Sequence, residues 1–536
     1  MRPTPRGARG VASRRFAAAG TGAVLMALTA GGIAAGSFLA PAAEPREIGV
    51  PASTVPAGDF VAQCPPSARL VQGAGTEGTD PAFAAGSDSA KTSVRASVLS
   101  DAAERAPGAR IVNSEGETLR EVNPTIADES AEREATSGSD GLSGQSASTV
   151  SGLSAAGAAV LRVQPLGGLK SVAGMARSYS ASDGDLAGLA VSGCQSPANE
   201  QWLVGASTQV GRTALLVVSN PSANTSTVDL DLFSSKGRVE AGNTRGLVLA
   251  AGESRSIVLG GLAPNDPAVS VRVSATGAPV TAVVQQSVLR GLTSGGVDYI
   301  EPSARAGQTQ VVPAVAIQDP ADTKDIASQR GYSDATPELE VAVPGDDEAV
   351  LNIRALGASG EVALPDGGVH TAPGGGTARI PLGSLPKGDY TIVVESDQPI
   401  AAGARVVRGS AKGKPVDVAW SAAADRLGNQ HLLVVPELAA GRLAFGSIGG
   451  DAAVSLRPVS KDGSIGREKI LSPAGGTTAV QQVGGLGPDV VAVIVSASGE
   501  PVYGGQVLTS GSAAVSTIGI PPATEGQRGI NVDIRY

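Results

Sequence analysis

Aromatic side chains are scarce in this 536-residue chain: two tryptophans, six tyrosines and six phenylalanines, 3% in all. Histidine is scarcer still, with only His370 and His431. Most metal centres and proton shuttles that work near neutrality use imidazole. Neither histidine has another close by, so no zinc site is expected and both read as surface or strand-end residues. No serine sits in a G-x-S-x-G elbow, which removes the commonest sign of a serine nucleophile. Glycine clusters such as Gly374–Gly376 lack the lysine and the strand-to-helix setting of a phosphate loop. Lysine is rare, 9 against 32 arginines, and the formal net charge is −9 without a basic stripe. Such a surface is poorly suited to counterion-release binding, which sets nucleic acid aside as a partner. The chain therefore reads as having no catalytic, cofactor-binding or metal site, and no cofactor is expected.

What the chain does have is an export segment. Residues 1–15 hold Arg2, Arg6, Arg9, Arg14 and Arg15 and no acid, and Phe16–Ala40 follows without a charge. This is the pattern of a secretory signal, and the apolar stretch is also long enough to cross a bilayer. Ala40-Pro41-Ala42 offers a small-residue cleavage site, so residues 1–43 read as a signal peptide or a single transmembrane anchor. Arginines ahead of the segment place the N-terminus inside and the remainder outside the membrane. Loss of the leader would take the formal charge from −9 to −14. Outside the membrane an even cysteine pair reads as a bridge, so Cys64 and Cys194 are expected to form a disulfide. It closes a loop of roughly 130 residues, worth about 4–5 kcal/mol in the chain-entropy model.

Glycine and proline are abundant, 72 and 35, and with the valine-rich alternation they favour many short strands. Three stretches share one pattern: Ala268–Val288, Tyr390–Gly409 and Val490–Ser510. Each has a β-branched run, a polar turn, a proline (Pro279, Pro399, Pro501) and a second apolar run, read as a hairpin closing each module. Val228, Leu230, Gly237 and Val239 recur in order as Val350, Ile353, Gly360 and Val362, and again as Val454, Leu456, Gly463 and Ile465. The repeat is too long for a propeller blade or solenoid and suits whole domains in tandem. The expected fold is all-β: immunoglobulin- or fibronectin-like sandwiches at 201–305, 306–425 and 426–525, separable from one another. Residues 44–200 read as an irregular N-terminal β domain with a solvated Ser/Glu/Gly-rich loop at about 113–151. Gln318–Pro337 reads as a polar loop, and 526–536 as a tail whose Ile530–Tyr536 could add an edge strand.

Candidate acids are few and scattered. Asp346-Asp347-Glu348 lies in a loop, Asp229 and Asp231 alternate with apolar residues on an outer face, and Asp389 ends a turn. None has the spacing of a calcium loop or a glycosidase pair. Val297–Ser303 (VDYIEPS) and Val416–Ser421 (VDVAWS) mark the joints between modules and read as final strands or plugs between neighbours. Trp202 and Trp420 fall in different modules, so no sugar-stacking platform is visible.

Cys194-Gln-Ser-Pro, Gln201-Trp202-Leu-Val-Gly, the Asn220-Pro221 turn, the export segment and the three repeats together resemble an actinobacterial family of large secreted or membrane-anchored proteins of unknown function. The likeness spans about residues 50–525. It implies a cell-envelope location, membrane-anchored or released to the wall, and brings no site residues. The expected role is a non-enzymatic scaffold or protein-interaction module with a protein partner in the envelope. Binding of cell-wall glycan is the alternative and wall hydrolysis the more distant one.

Overall fold

A computed structural model describes residues 57–71, 87–101, 103–127 and 145–523. The leader, its apolar segment and Ile530–Tyr536 lie outside the described residues. Among those residues the chain is all-β, with one α-helix at Pro320–Ala327. That helix falls inside the segment read as a loop. Asp319 caps it by accepting from the Ala321 N–H at 2.9 Å, and Pro320 occupies its first turn. No helix of the described residues is long and apolar enough to cross a membrane.

The strands pair into four sandwiches. In the first, Phe60–Cys64, Ala159–Val163, Ala109–Val112 and Thr118–Asn123 face a sheet of Ala147–Leu153, Lys91–Leu99, Ala173–Ala181 and Gly188–Gly193. Ile111, Leu161, Val94 and Met175 fill its core. Two of these strands enter the stretch read as a solvated loop. Thr118–Asn123 (TLREVN) is exposed over most of its length and Ala147–Leu153 is half-buried on both faces, so neither shows apolar alternation.

The second sandwich packs Ser254–Val258, Arg212–Ser219, Thr281–Arg290 and Thr293–Ile300 on Ser226–Ser234, Val269–Gly277, Glu200–Ala206 and two short strands. In the third, one 22-residue strand, Gly388–Gly409, runs through both sheets. Its first half pairs with Gly307–Ile317 and Ala349–Gly357, its second with Glu338–Ala342 and Val416–Ala422. The fourth packs His431–Val434, Val490–Gly499, Ala452–Ser460 and Lys469–Leu471 on Thr477–Gln482, Ala440–Ser447, Val502–Ser510 and Ala514–Gly519.

The proline-centred stretches are not hairpins. Val269–Gly277 and Thr281–Arg290 belong to opposite sheets, as do Val490–Gly499 and Val502–Ser510. Proline has no N–H to continue a ladder, so Pro279 and Pro501 stand where the chain changes sheet.

Tandem in sequence, the sandwiches close on one another in space. Tyr179 and Ala190 of the first pack with Leu215, Val283 and Tyr299 of the second. Trp202 and Phe233 meet Ala342 and Ala401 of the third, and Ala314 of the third meets Ala444 and Val507 of the fourth. The ring is completed by Val434 and Ile494 of the fourth against Leu99 and Ala176 of the first. The result is a cyclic body like a propeller, with a whole sandwich in place of each blade.

Candidate functional site at the ring axis

The last strand of each sandwich is an edge of its sheet: Gly188–Gly193, Thr293–Ile300, Val416–Ala422 and Ala514–Gly519. An edge strand carries free N–H groups on every second residue, costly to bury without acceptors. These four edges face one another around the axis, each packed on the next. Three carboxylates supply the acceptors.

Asp417 accepts one backbone N–H from each sandwich: Leu189 and Val515 at 2.9 and 3.1 Å on Oδ2, Val297 and Val418 at 3.2 and 3.0 Å on Oδ1. One level along, Asp298 accepts from the Ser516 hydroxyl at 2.7 Å, Val191 N–H at 3.3 Å and Trp420 N–H at 3.4 Å. At the third level Glu301 accepts from Gly193 N–H at 2.7 Å, the Ser192 hydroxyl at 3.1 Å and Gly519 N–H at 3.3 Å. Residues 189, 191 and 193 thus donate in turn to three acids stacked along the axis. All four axial strands run the same way, because later residues in each serve later acids.

The close approach depends on glycine. A Cβ on Gly296, whose φ is +113°, would overlap Asp417 Oδ1, and one on Gly188 would lie 2.8 Å from the same atom. All the partners just named are neutral. Burial pushes Asp417 and Glu301 up to about 7 against the pull of their N–H donors. Asp298 is driven well above the usual carboxylate range by burial, with the Asp417 charge adding to it. All three acids are buried. What the arrangement does is hold four edges in register.

The structure places the sequence candidates apart from this axis. Cys64 and Cys194 are bridged, with Cα atoms 4.2 Å apart, beside mutual backbone hydrogen bonds of Gln63 and Gln195 at 2.8 and 3.0 Å. His370 is half-buried in Val369–Ala372. His431 is a strand-end residue, buried at the start of His431–Val434; its Nε2 accepts from Gly428 N–H at 2.7 Å, which leaves Nδ1–H to donate to the Pro521 carbonyl at 2.8 Å. Asp346, Asp347 and Glu348 are solvent-exposed, and no group of metal-ligating side chains occurs among the described residues. Asp389 forms a two-pronged pair with Arg442 at 2.7 and 2.8 Å, tying the third sandwich to the fourth. Asp231 is not solvated: it is buried and pairs with Arg245 and Arg272. Trp202 and Trp420 are both buried.

Asp298, Glu301 and Asp417 were not among the candidate acids, although they lie in the two joint segments Val297–Ser303 and Val416–Ser421. The signal was the Val-Asp pair opening each of VDYIEPS and VDVAWS, a lone acid in an apolar strand.

Fold and axis together define a class: an all-β body of four sandwiches whose terminal edges converge on buried carboxylates. Residues 149–484 match the Family of unknown function (DUF5719), and the chain belongs to that family. The matched stretch begins and ends within the first and fourth sandwiches, while the closed body spans the described residues on either side. No curated protein matches the sequence.

Proposed function

We propose that this chain is a non-enzymatic, extracytoplasmic cell-envelope protein that acts as a rigid scaffold or docking module for another envelope protein. The observation that carries this reading is the ring itself. Its interior is spent on packing and on backbone acceptors, while exposed turns such as 223–225 and 346–348 offer contact surfaces on that frame. The Cys64–Cys194 bridge supports a location outside the reducing cytosol. The arginine-led apolar segment and the likeness to large secreted actinobacterial proteins support attachment to, or release from, the plasma membrane. Burial of both tryptophans weighs against sugar stacking, the runner-up role.

Proximity labelling by the full chain on intact cells tests the proposal. The expected result is recurrent labelling of one envelope protein, unchanged by added soluble wall glycan. Retention on purified wall that soluble glycan competes away would replace the scaffold reading with glycan binding, and release of wall fragments would replace it with hydrolysis.

A further inference from the structure

The four strands at the axis run the same way, so the turns that lead into them, at 182–187, 291–292, 410–415 and 511–513, all lie at its Asp417 end. Two apolar side chains project there. Leu292 is 83% and Val210 90% exposed, while no other large apolar side chain among the described residues exceeds 61%. They sit on adjoining turns of the second sandwich, because Leu289 N–H donates to the Gly211 carbonyl at 2.7 Å. A Cβ on Gly211, whose φ is +75°, would overlap the Leu289 carbonyl oxygen, so glycine lets the two turns lock together. Lone exposed apolar residues are ordinary, but a neighbouring pair held out on locked turns has the character of an interface anchor.

Charge of opposite sign flanks the pair. On one side the Ser294 hydroxyl donates to the Asp185 and Ala187 carbonyls at 3.2 and 2.9 Å, which joins the Leu292 turn to turn 182–187 of the first sandwich. That turn carries Asp183 and Asp185, and the hydroxyls of Ser87 and Ser89 on Asp183 bring Asp88 beside them, against Lys91. On the other side Arg290 Nη1 donates to the Gly331 carbonyl at 2.7 Å, which joins the same turn to the 318–337 insertion. The insertion in turn accepts the Lys412 and Gly413 N–H groups on Asp325 and Gln329, at 2.8 and 2.9 Å. This side presents Lys324, Arg330, Lys412 and Lys414, all exposed, against Asp325. It holds three of the nine lysines in the chain. Asp319 and Asp322 are at the other end of the short helix, where Gln318 accepts from Gly409 N–H.

Acid, apolar tips and base therefore follow one another across this face. A two-fold axis lying in the face and crossing that sequence at Leu292 sets the acidic side of one copy over the basic side of the other, twice, which is the condition for an isologous contact. An anionic lipid surface would meet Asp88, Asp183 and Asp185 as like charges. We propose that the Asp417 end of the ring is a dimer interface between two copies of this chain, with Leu292 and Val210 packed on their counterparts and turn 182–187 of each copy set against Lys412 and Lys414 of the other.

Sedimentation of the purified full chain in mild detergent tests the assignment. The expected result is a dimer that weakens as salt is raised from about 0.1 to about 0.5 M. Leu292→Asp should raise the dissociation constant about tenfold or more and leave the melting temperature unchanged, since the side chain is exposed. Asp88→Lys with Asp185→Lys makes both flanks basic and spares Asp183, while Lys412→Glu with Lys414→Glu makes both acidic. Each double variant alone should be monomeric, and an equimolar mixture of the two should pair again, because acid then meets base only between unlike copies. A monomer at about 50 µM, a dimer that Leu292→Asp leaves intact, or a mixture that stays monomeric would each overturn the interface. So would a monomeric chain that sediments with anionic phospholipid vesicles, which would make the two tips a lipid contact instead.

Discussion

At the scale of single residues, the axis turns an edge-strand liability into a joint. Asp417 gathers N–H groups from four sandwiches, so Asp417→Ala leaves four buried donors without an acceptor. Each costs about 1–3 kcal/mol when fully desolvated, and partial relaxation should bring the total loss to about 3–5 kcal/mol, read as a lower denaturant midpoint. Gly296→Ala meets the same oxygen and forces a positive φ of 113° on a residue with a Cβ. A loss of about 1–3 kcal/mol is expected. Asp347→Asn, in an exposed loop, should shift stability by less than about 0.5 kcal/mol and serves as the control. Beyond its place as a lone acid in an apolar strand, little of this importance is visible in the sequence, where Asp417 is one acid among fifty. Its value comes from three partners 98 to 228 residues away, beside its neighbour Val418.

At the scale of elements, the alternating runs were legible because a strand with one buried face writes its environment into every second residue. Val228, Leu230 and Leu232 are indeed buried, as the alternation requires. Partner choice was not legible: the prolines read as hairpin turns in fact mark changes of sheet. The disulfide was legible from the even cysteine count together with the arginine-led apolar run of residues 1–40. It joins the strand Phe60–Cys64 to the segment just after the axial strand Gly188–Gly193, across 130 residues. Reduction should therefore lower stability by about 4–5 kcal/mol, seen as an earlier unfolding transition in dithiothreitol than in its absence, and the loss should spread to the axis through residues 188–193.

At the scale of the whole molecule, closure makes the sandwiches interdependent. Leu189 and Val191 of the first sandwich share a core with Leu433 and Phe445 of the fourth, and Trp420 of the third shares one with the second. Limited proteolysis should leave one resistant block, and residues 200–304 expressed alone should aggregate or stay unfolded. The pH dependence follows from the buried acids. Asp417, Glu301 and Glu340 sit at about 7 in the folded chain through burial, against about 4 when unfolded. Between these values the folded state holds more protons, so stability falls as pH rises from about 4 to about 7, and Asp298, raised by burial as well, acts in the same direction. Asp334, drawn down to about 2 by Arg290 and Arg212 despite its burial, opposes this only below pH 4. Chemical denaturation should show greater stability at pH 5 than at pH 8, by a few kcal/mol in order of magnitude. Asp417→Asn should flatten that slope without abolishing it.

Strand alternation and cysteine count are local properties of the sequence, and they were enough to give an all-β chain with one disulfide. It took the tertiary structure to show that the strands from Phe60–Cys64 to Gly188–Gly193 make a sandwich of their own, that the modules form a ring, and that three scattered acids lie at its centre. These depend on which edges meet, and the acceptor for a strand's free N–H can come from anywhere in the chain.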